Sequence, residues 1–143
     1  MIDVENQIIT DVINGFAGTD YANINIASDP PQKAVFPYVL FYQSDAYPTR
    51  GTHIASREDT FETVVFTADI YSNKANNAKA ECKKIQGIID NTMQGLGFTR
   101  FSSSPIFEMP ELAKARRLVR YRANVSKITY TDGNRTRNLI YNI

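Results

Sequence analysis

This chain has little of the residues that most often carry chemistry. It holds one cysteine and one histidine among 143 residues. A lone Cys82 excludes an internal disulfide. Its place in the apolar register of a helical stretch reads as a small buried hydrophobe, not a reactive thiol. A single free thiol fits a reducing compartment. The histidine, His53, stands in a polar stretch with no cysteine or serine motif beside it, so no nucleophile–base pair is legible. Metal centres need several His, Cys or carboxylate ligands at set spacing, and one of each on separate elements does not supply them. The Gly95-Leu96-Gly97 triplet follows a helix, whereas phosphate cradles precede one. The acidic pairs Glu58-Asp59 and Glu108 with Glu111 have no acid/base frame. No catalytic residue, metal site or cofactor is expected.

Long apolar runs are also missing. No stretch approaches the ~18 apolar residues of a membrane span, and Met1 to Glu5 carry no basic leader, so neither a membrane anchor nor a signal peptide is expected. Charge is nearly balanced, 16 basic against 15 acidic residues for a net +1. Bulk electrostatics therefore argue neither for nor against a nucleic-acid partner. The length suits a single domain spanning 1–143, and 43% hydrophobic content with 22% charge is ordinary for a globular one.

What is present is an ordered succession of elements. Asp3 is placed to cap a first helix in which Val4, Ile8, Ile9, Val12, Ile13 and Phe16 recur at helical spacing. Alternation over 22–27 predicts a short strand ended by Ser28-Asp29-Pro30-Pro31. Residues 35–44 form a strand apolar on both faces. Such a strand is central or covered, and Pro37 must sit near its start or at an edge. Residues 45–60 form a long polar loop with Pro48, Gly51 and His53. Residues 61–72 are a long strand with Val64, Phe66, Ala68 and Ile70 on one face. The opposite face, with Glu62 placed there, is not cleanly polar.

Asn73 is placed to cap a second helix over 75–96. Its stripe is Ala78, Cys82, Ile85, Ile88, Ile89, Met93 and Leu96; Lys79, Lys83, Lys84 and Asp90 can face water, and Gly95 and Gly97 end it. It is expected to lie across the sheet. Residues 98–107 read as a strand broken at Ser102-Ser103-Ser104-Pro105. From Arg116 onward Val119, Tyr121, Ala123 and Val125 point one way, and Arg116, Arg120 and Arg122 the other. A turn at Thr131-Asp132-Gly133-Asn134 precedes a last strand through Leu139, Ile140, Tyr141 and Ile143. The expected fold is α+β, a mainly antiparallel sheet with two helices packed against it, an extended β-hairpin and a C-terminal β arm over about 129–143.

The arginine row, with Arg117 and Lys114 nearby, can meet phosphates, or serve as a solubilising outer face, or pair with carboxylates of a neighbouring strand or subunit. No helix-turn-helix or zinc-finger spacing accompanies it. Strands with two apolar faces leave more sticky surface than two amphipathic helices can cover. Such surface marks protein interfaces, and free strand edges invite pairing with another chain.

In the order of these motifs the chain resembles the tail-terminator (tail-completion) proteins of long-tailed bacteriophages, sometimes called minor capsid proteins. The resemblance rests on the first helix, Phe36-Pro37-Tyr38-Val39, the long loop and Asp69-Ile70-Tyr71-Ser72. It continues through Ile85, Ile88 and Ile89, the Gly97-Phe98 step and Arg120-Tyr121-Arg122-Ala123, over roughly 4–127. It implies a hexameric homo-oligomeric ring that caps the tail tube, stops its polymerisation and joins it to the head. The implied partners are the major tail tube protein and the head connector or neck protein, with DNA passing through the lumen without sequence-specific binding. The implied location is the tail–neck region of a virion assembled in the bacterial cytoplasm. Candidate interface residues are Arg50, His53, Arg57, Arg116, Arg120, Arg122, Tyr130 and Tyr141. The rival readings are a head-closure or connector protein, and a small nucleic-acid- or ligand-binding α+β module using Arg116, Arg120 and Arg122.

Overall fold

The computed structural model describes residues 2–33, 35–48, 61–108, 113–133 and 135–141. The elements run α1 (Glu5–Gly15), β1 (Asn25–Ala27), β2 (Tyr38–Pro48), β3 (Phe61–Ser72), α2 (Ala78–Leu96), β4 (Thr99–Pro105), β5 (Ala115–Asp132) and β6 (Arg135–Tyr141). The fold is α+β, as the alternating and helical patterns predict. Six strands form one sheet in the order β1-β2-β3-β5-β4, with β6 also on β5. All pairings are antiparallel except β1 with β2.

The register assigns the faces. Ile70, Phe66 and Val64 of β3 lie opposite Arg117, Tyr121 and Ala123 of β5. Val39 and Phe41 of β2 pair with Ile70 and Ala68. All of these except Arg117 join the buried stripes of α1 (Val4, Ile8, Val12) and α2 (Cys82, Ile85, Ile89, Met93) in one core. Both helices therefore cover the same face. Within the core Phe66 stacks on Phe41 at 5.3 Å and meets the edge of Phe98 at 5.5 Å.

Several boundaries differ from the sequence reading. The strand expected over 35–44 begins at Tyr38 and runs to Pro48, through a bulge between Gln43 and Asp45. Residues 45–48 are thus strand, not loop, because β3 offers them an antiparallel partner. The first strand is shorter than expected, only 25–27. Glu62 belongs to the helix-side parity, opposite Val125. The serine run does not break β4: Ser102, Ser103 and Ser104 pair with Arg120, Val119 and Leu118, and the irregularity falls at Phe101.

The second helix starts at Ala78 rather than 75, with Asn77 at its cap position and no side-chain cap bond. The cause is Ser72, whose hydroxyl accepts from the Lys74 N–H at 3.2 Å and donates to Glu81 at 2.7 Å, holding the intervening residues in a turn. Its far end stops where expected. Gly97 takes φ 100, and the Gly97 and Phe98 amides donate back to Gln94 and Met93, a closure that glycine accepts without Cβ strain. Asp3 caps α1 from one residue outside the cap position, its carboxylate accepting from the Glu5 N–H at 3.0 Å. Gln43 of β2 then fixes the helix start, accepting from Val4 and donating to the Ile2 carbonyl.

The two helices meet closely at Gly15. A Cβ there would collide with the Thr92 hydroxyl and come within 3.1 Å of the Thr92 Cβ. Gly15→Ala should therefore lower stability by about 1–3 kcal/mol through overpacking, despite the better helix propensity of alanine. Adding Thr92→Ala should restore most of the loss, as read from denaturant midpoints. Equal single- and double-variant midpoints would contradict this contact.

Candidate protein interface

The sheet has a second face, and neither helix covers it. It is built by Tyr38, Leu40, Tyr42, Asp45 and Tyr47 of β2; by Thr63, Val65, Thr67, Asp69 and Tyr71 of β3; and by Arg116, Leu118, Arg120 and Arg122 of β5. β3 is nevertheless buried from Glu62 to Ser72. It lies central in the sheet, and long side chains of its neighbours lean over it. That is why its non-core face reads as neither polar nor apolar.

One end of this face is a closed network. Arg116 grips Asp69 with two hydrogen bonds, Nε to Oδ1 at 2.9 Å and Nη2 to Oδ2 at 2.8 Å. Its Nη1 donates to the Glu108 carbonyl at 2.9 Å. The guanidinium lies over Tyr71, which stacks on Tyr38 at 4.6 Å and donates its hydroxyl to Asp69. The hydrogen bond to Asp69 holds the Arg116 proton still more tightly than usual. Burial, reinforced by the Asp69 charge, pushes the Tyr71 and Tyr38 phenols upward. Arg116 thus pairs with a carboxylate of the neighbouring strand, one of the alternatives open for the arginine row.

The other end is open. Arg120 is exposed and borders a depression of about 320 Å³ that includes Tyr47, Val65 and Phe101. Tyr47 and Phe101 are 40% and 43% exposed. Arg122 lies over the Phe101 ring at 5.1 Å, and its buried Nε has no hydrogen-bond partner among the described residues. Sequence reasoning missed Tyr47 because it fell in the expected loop, and Phe101 because it fell beside the expected break. Simple alternation would have put Tyr47 with Val39 and Phe41 on the helix side; the bulge between Gln43 and Asp45 shifts the parity and turns it to this face.

Tyr130 and Tyr141 sit on the β5–β6 hairpin, both exposed. Tyr130 pairs with Arg137, and Tyr141 with Asn124. Tyr141 meets the Phe61 ring edge-on at 5.4 Å. Arg135 and Arg137 both reach Asp11 of α1, so β6 is clasped to the helix layer of its own chain. The structure brings Arg116, Arg120 and Arg122 onto one face and keeps the two tyrosines on the arm. Arg50, His53 and Arg57 lie outside the described residues.

On the helix side the polar contacts are structural. Tyr121 donates to Asp90, which also binds Arg100, and Gln86 of α2 accepts from Arg117 and Ser103. Cys82 is buried, and burial pushes its thiol up to about 11. Among the described residues no group of three or more His, Cys, Asp or Glu stands together as a metal site, and no helix is long and apolar enough to cross a membrane. No protein-family model matches the chain, and no curated protein sequence matches it.

Proposed function

We propose that this chain is a structural subunit of a long-tailed bacteriophage particle. It resembles a tail terminator that assembles as a hexameric ring, caps the tail tube and offers the joining surface to the head. It works by surface complementarity and needs no catalytic residue or cofactor. The observation that carries an assembly role is the open end of the uncovered sheet face. There two exposed aromatic rings flank an exposed arginine, the composition of interface centres. The unmet Arg122 Nε supports the same reading. A buried donor without an acceptor costs about 1–3 kcal/mol, and a neighbouring subunit can supply that acceptor. The motif order that resembles tail terminators narrows assembly to this kind of ring.

The nucleic-acid module built on Arg116, Arg120 and Arg122 is less favoured, because Asp69 occupies Arg116 and Phe101 carries Arg122.

Native mass measured across a wide concentration range, with and without tail tubes, tests the proposal. Six copies of 16.1 kDa make a ring of about 97 kDa. Tyr47→Ser with Arg120→Glu should return that ring to monomers while leaving the fold intact by circular dichroism. A wild-type chain that stays monomeric even with tail tubes present would overturn the reading.

A further inference from the structure

Four of the chain's seven lysines, Lys74, Lys79, Lys83 and Lys114, line one open depression of about 520 Å³ at an end of the sheet. All four are exposed. Three separate segments converge to place them. Lys74 follows the end of β3. Lys79 and Lys83 stand one turn apart on α2. The Lys114 amide donates to the Ser72 carbonyl at 2.8 Å, which holds the chain entering β5 beside the chain leaving β3.

Among the described residues no carboxylate forms a salt bridge with them. Every salt bridge among the described residues is made by arginine, none by lysine. Glu81 lies between Lys79 and Lys83 in sequence but turns inward, accepting from the Ser72 and Tyr21 hydroxyls. Lys79 and Lys83 are four residues apart on one helix, a like-charge spacing that weakens an isolated helix. With a net charge of only +1 over the whole chain, a cluster of four cations means marked segregation of charge.

We infer that this lysine cluster is a contact surface for a nucleic-acid phosphodiester backbone, read without base specificity. Protein interface centres are enriched in aromatic residues and arginine and depleted in lysine. This depression has the opposite composition: among the described residues its lining besides the lysines is Asn76, Asn77 and two alanines. Among the described residues no aromatic side chain lines it as a platform for base stacking. Compact ammonium charges on flexible stems suit phosphate positioning, which carries no sequence information. Lys79 and Lys83 also border a second depression with Arg116 and Arg117, and the inference does not rest on ring assembly.

The test uses the full chain and a fluorescent duplex of mixed sequence, with binding followed by anisotropy. Each lysine on a phosphate contributes about −0.9 to the slope of log affinity against log salt, so four give roughly −3.6, a fall of about a hundredfold between about 50 and 200 mM salt. Lys79→Gln with Lys83→Gln should flatten the slope by about 1.8 and weaken binding at low salt. The charge-matched pair Lys33→Gln with Lys127→Gln should leave both unchanged. Lys79→Arg with Lys83→Arg should retain binding, and thermal melts of all variants should match wild type. No binding at low salt, or equal losses in the two glutamine pairs, would overturn the inference. So would competition by polyglutamate as effective as by unlabelled duplex, which would make the cluster a site for an acidic protein.

Discussion

Asp69→Ala is expected to remove about 3–5 kcal/mol of stability, the usual cost of breaking a buried ion pair by deleting one partner. The Asp69 side chain is 6% exposed and that of Arg116 25%, so little water can replace the lost charge. Three groups lose their acceptor together: both donors of Arg116 and the Tyr71 hydroxyl. The effect should spread, since Arg116 also holds the Glu108 carbonyl and lies over the Tyr71 ring that stacks on Tyr38. The double variant Asp69→Leu with Arg116→Leu should recover most of the loss, because apolar replacement of both partners of a buried pair is often near neutral. A remainder of about 1 kcal/mol should persist from the stranded Tyr71 hydroxyl. Urea unfolding followed by circular dichroism measures all three. A single-variant loss below about 1 kcal/mol would mean the pair is screened like a surface salt bridge.

The second large effect is local. Asp11→Ala should release β6 from the helix layer, with its amides exchanging about a hundredfold faster while the β3 amides keep their protection. Arg137 is the reason. Its side chain is 7% exposed and makes two bonds to Asp11 at 3.0 and 2.5 Å. Asp11 holds its guanidinium more firmly protonated than usual, with help from the Tyr130 hydroxyl. Without Asp11 the cation is buried and unpaired, and the arm escapes that penalty by lifting into water. Arg135→Ala should do much less, because that side chain is 43% exposed. Hydrogen exchange on the native protein separates these outcomes. Uniform loss of protection across the sheet would show that the arm and the core unfold as one unit.

The parts of this fold legible in the sequence are those that repeat along it. Val119, Tyr121, Ala123 and Val125 alternate, and all four are buried on the helix side. The stripes of α1 and α2 were readable for the same reason, except that Ile13, expected in the first, is 46% exposed; so were the Gly97 stop and the turn before β6. Misreadings arose where a residue type argues against the state its partner imposes. Ser102 to Ser104 look like a loop, yet β5 offers them a ladder. Ala46 and Tyr47 follow a bulge that resets the register, so their pattern no longer continues that of Val39 and Phe41.

The candidate surfaces were less legible. The sequence placed three arginines on one face but could not say which were already engaged. Asp69 is 47 residues from Arg116 and Asp11 is 126 from Arg137. Nothing local marks either pair. Lys79 and Lys83 read as solvated positions on the second helix, and only the meeting of β3, α2 and the entry to β5 joins them to Lys74 and Lys114 as a cluster.

By itself, then, the sequence determined which residues turn inward, since burial follows a period of two or 3.6 that chain geometry imposes locally. It also determined where the chain must turn, because glycine at positive φ relieves a backbone constraint at one position. Tertiary structure alone decided which charges are cancelled and which remain free. Coulomb energy depends on distance and burial, and both are set by which strands become neighbours. That is why Arg116 and Arg137 became structural ties, while Arg120 and the four lysines were left facing solvent.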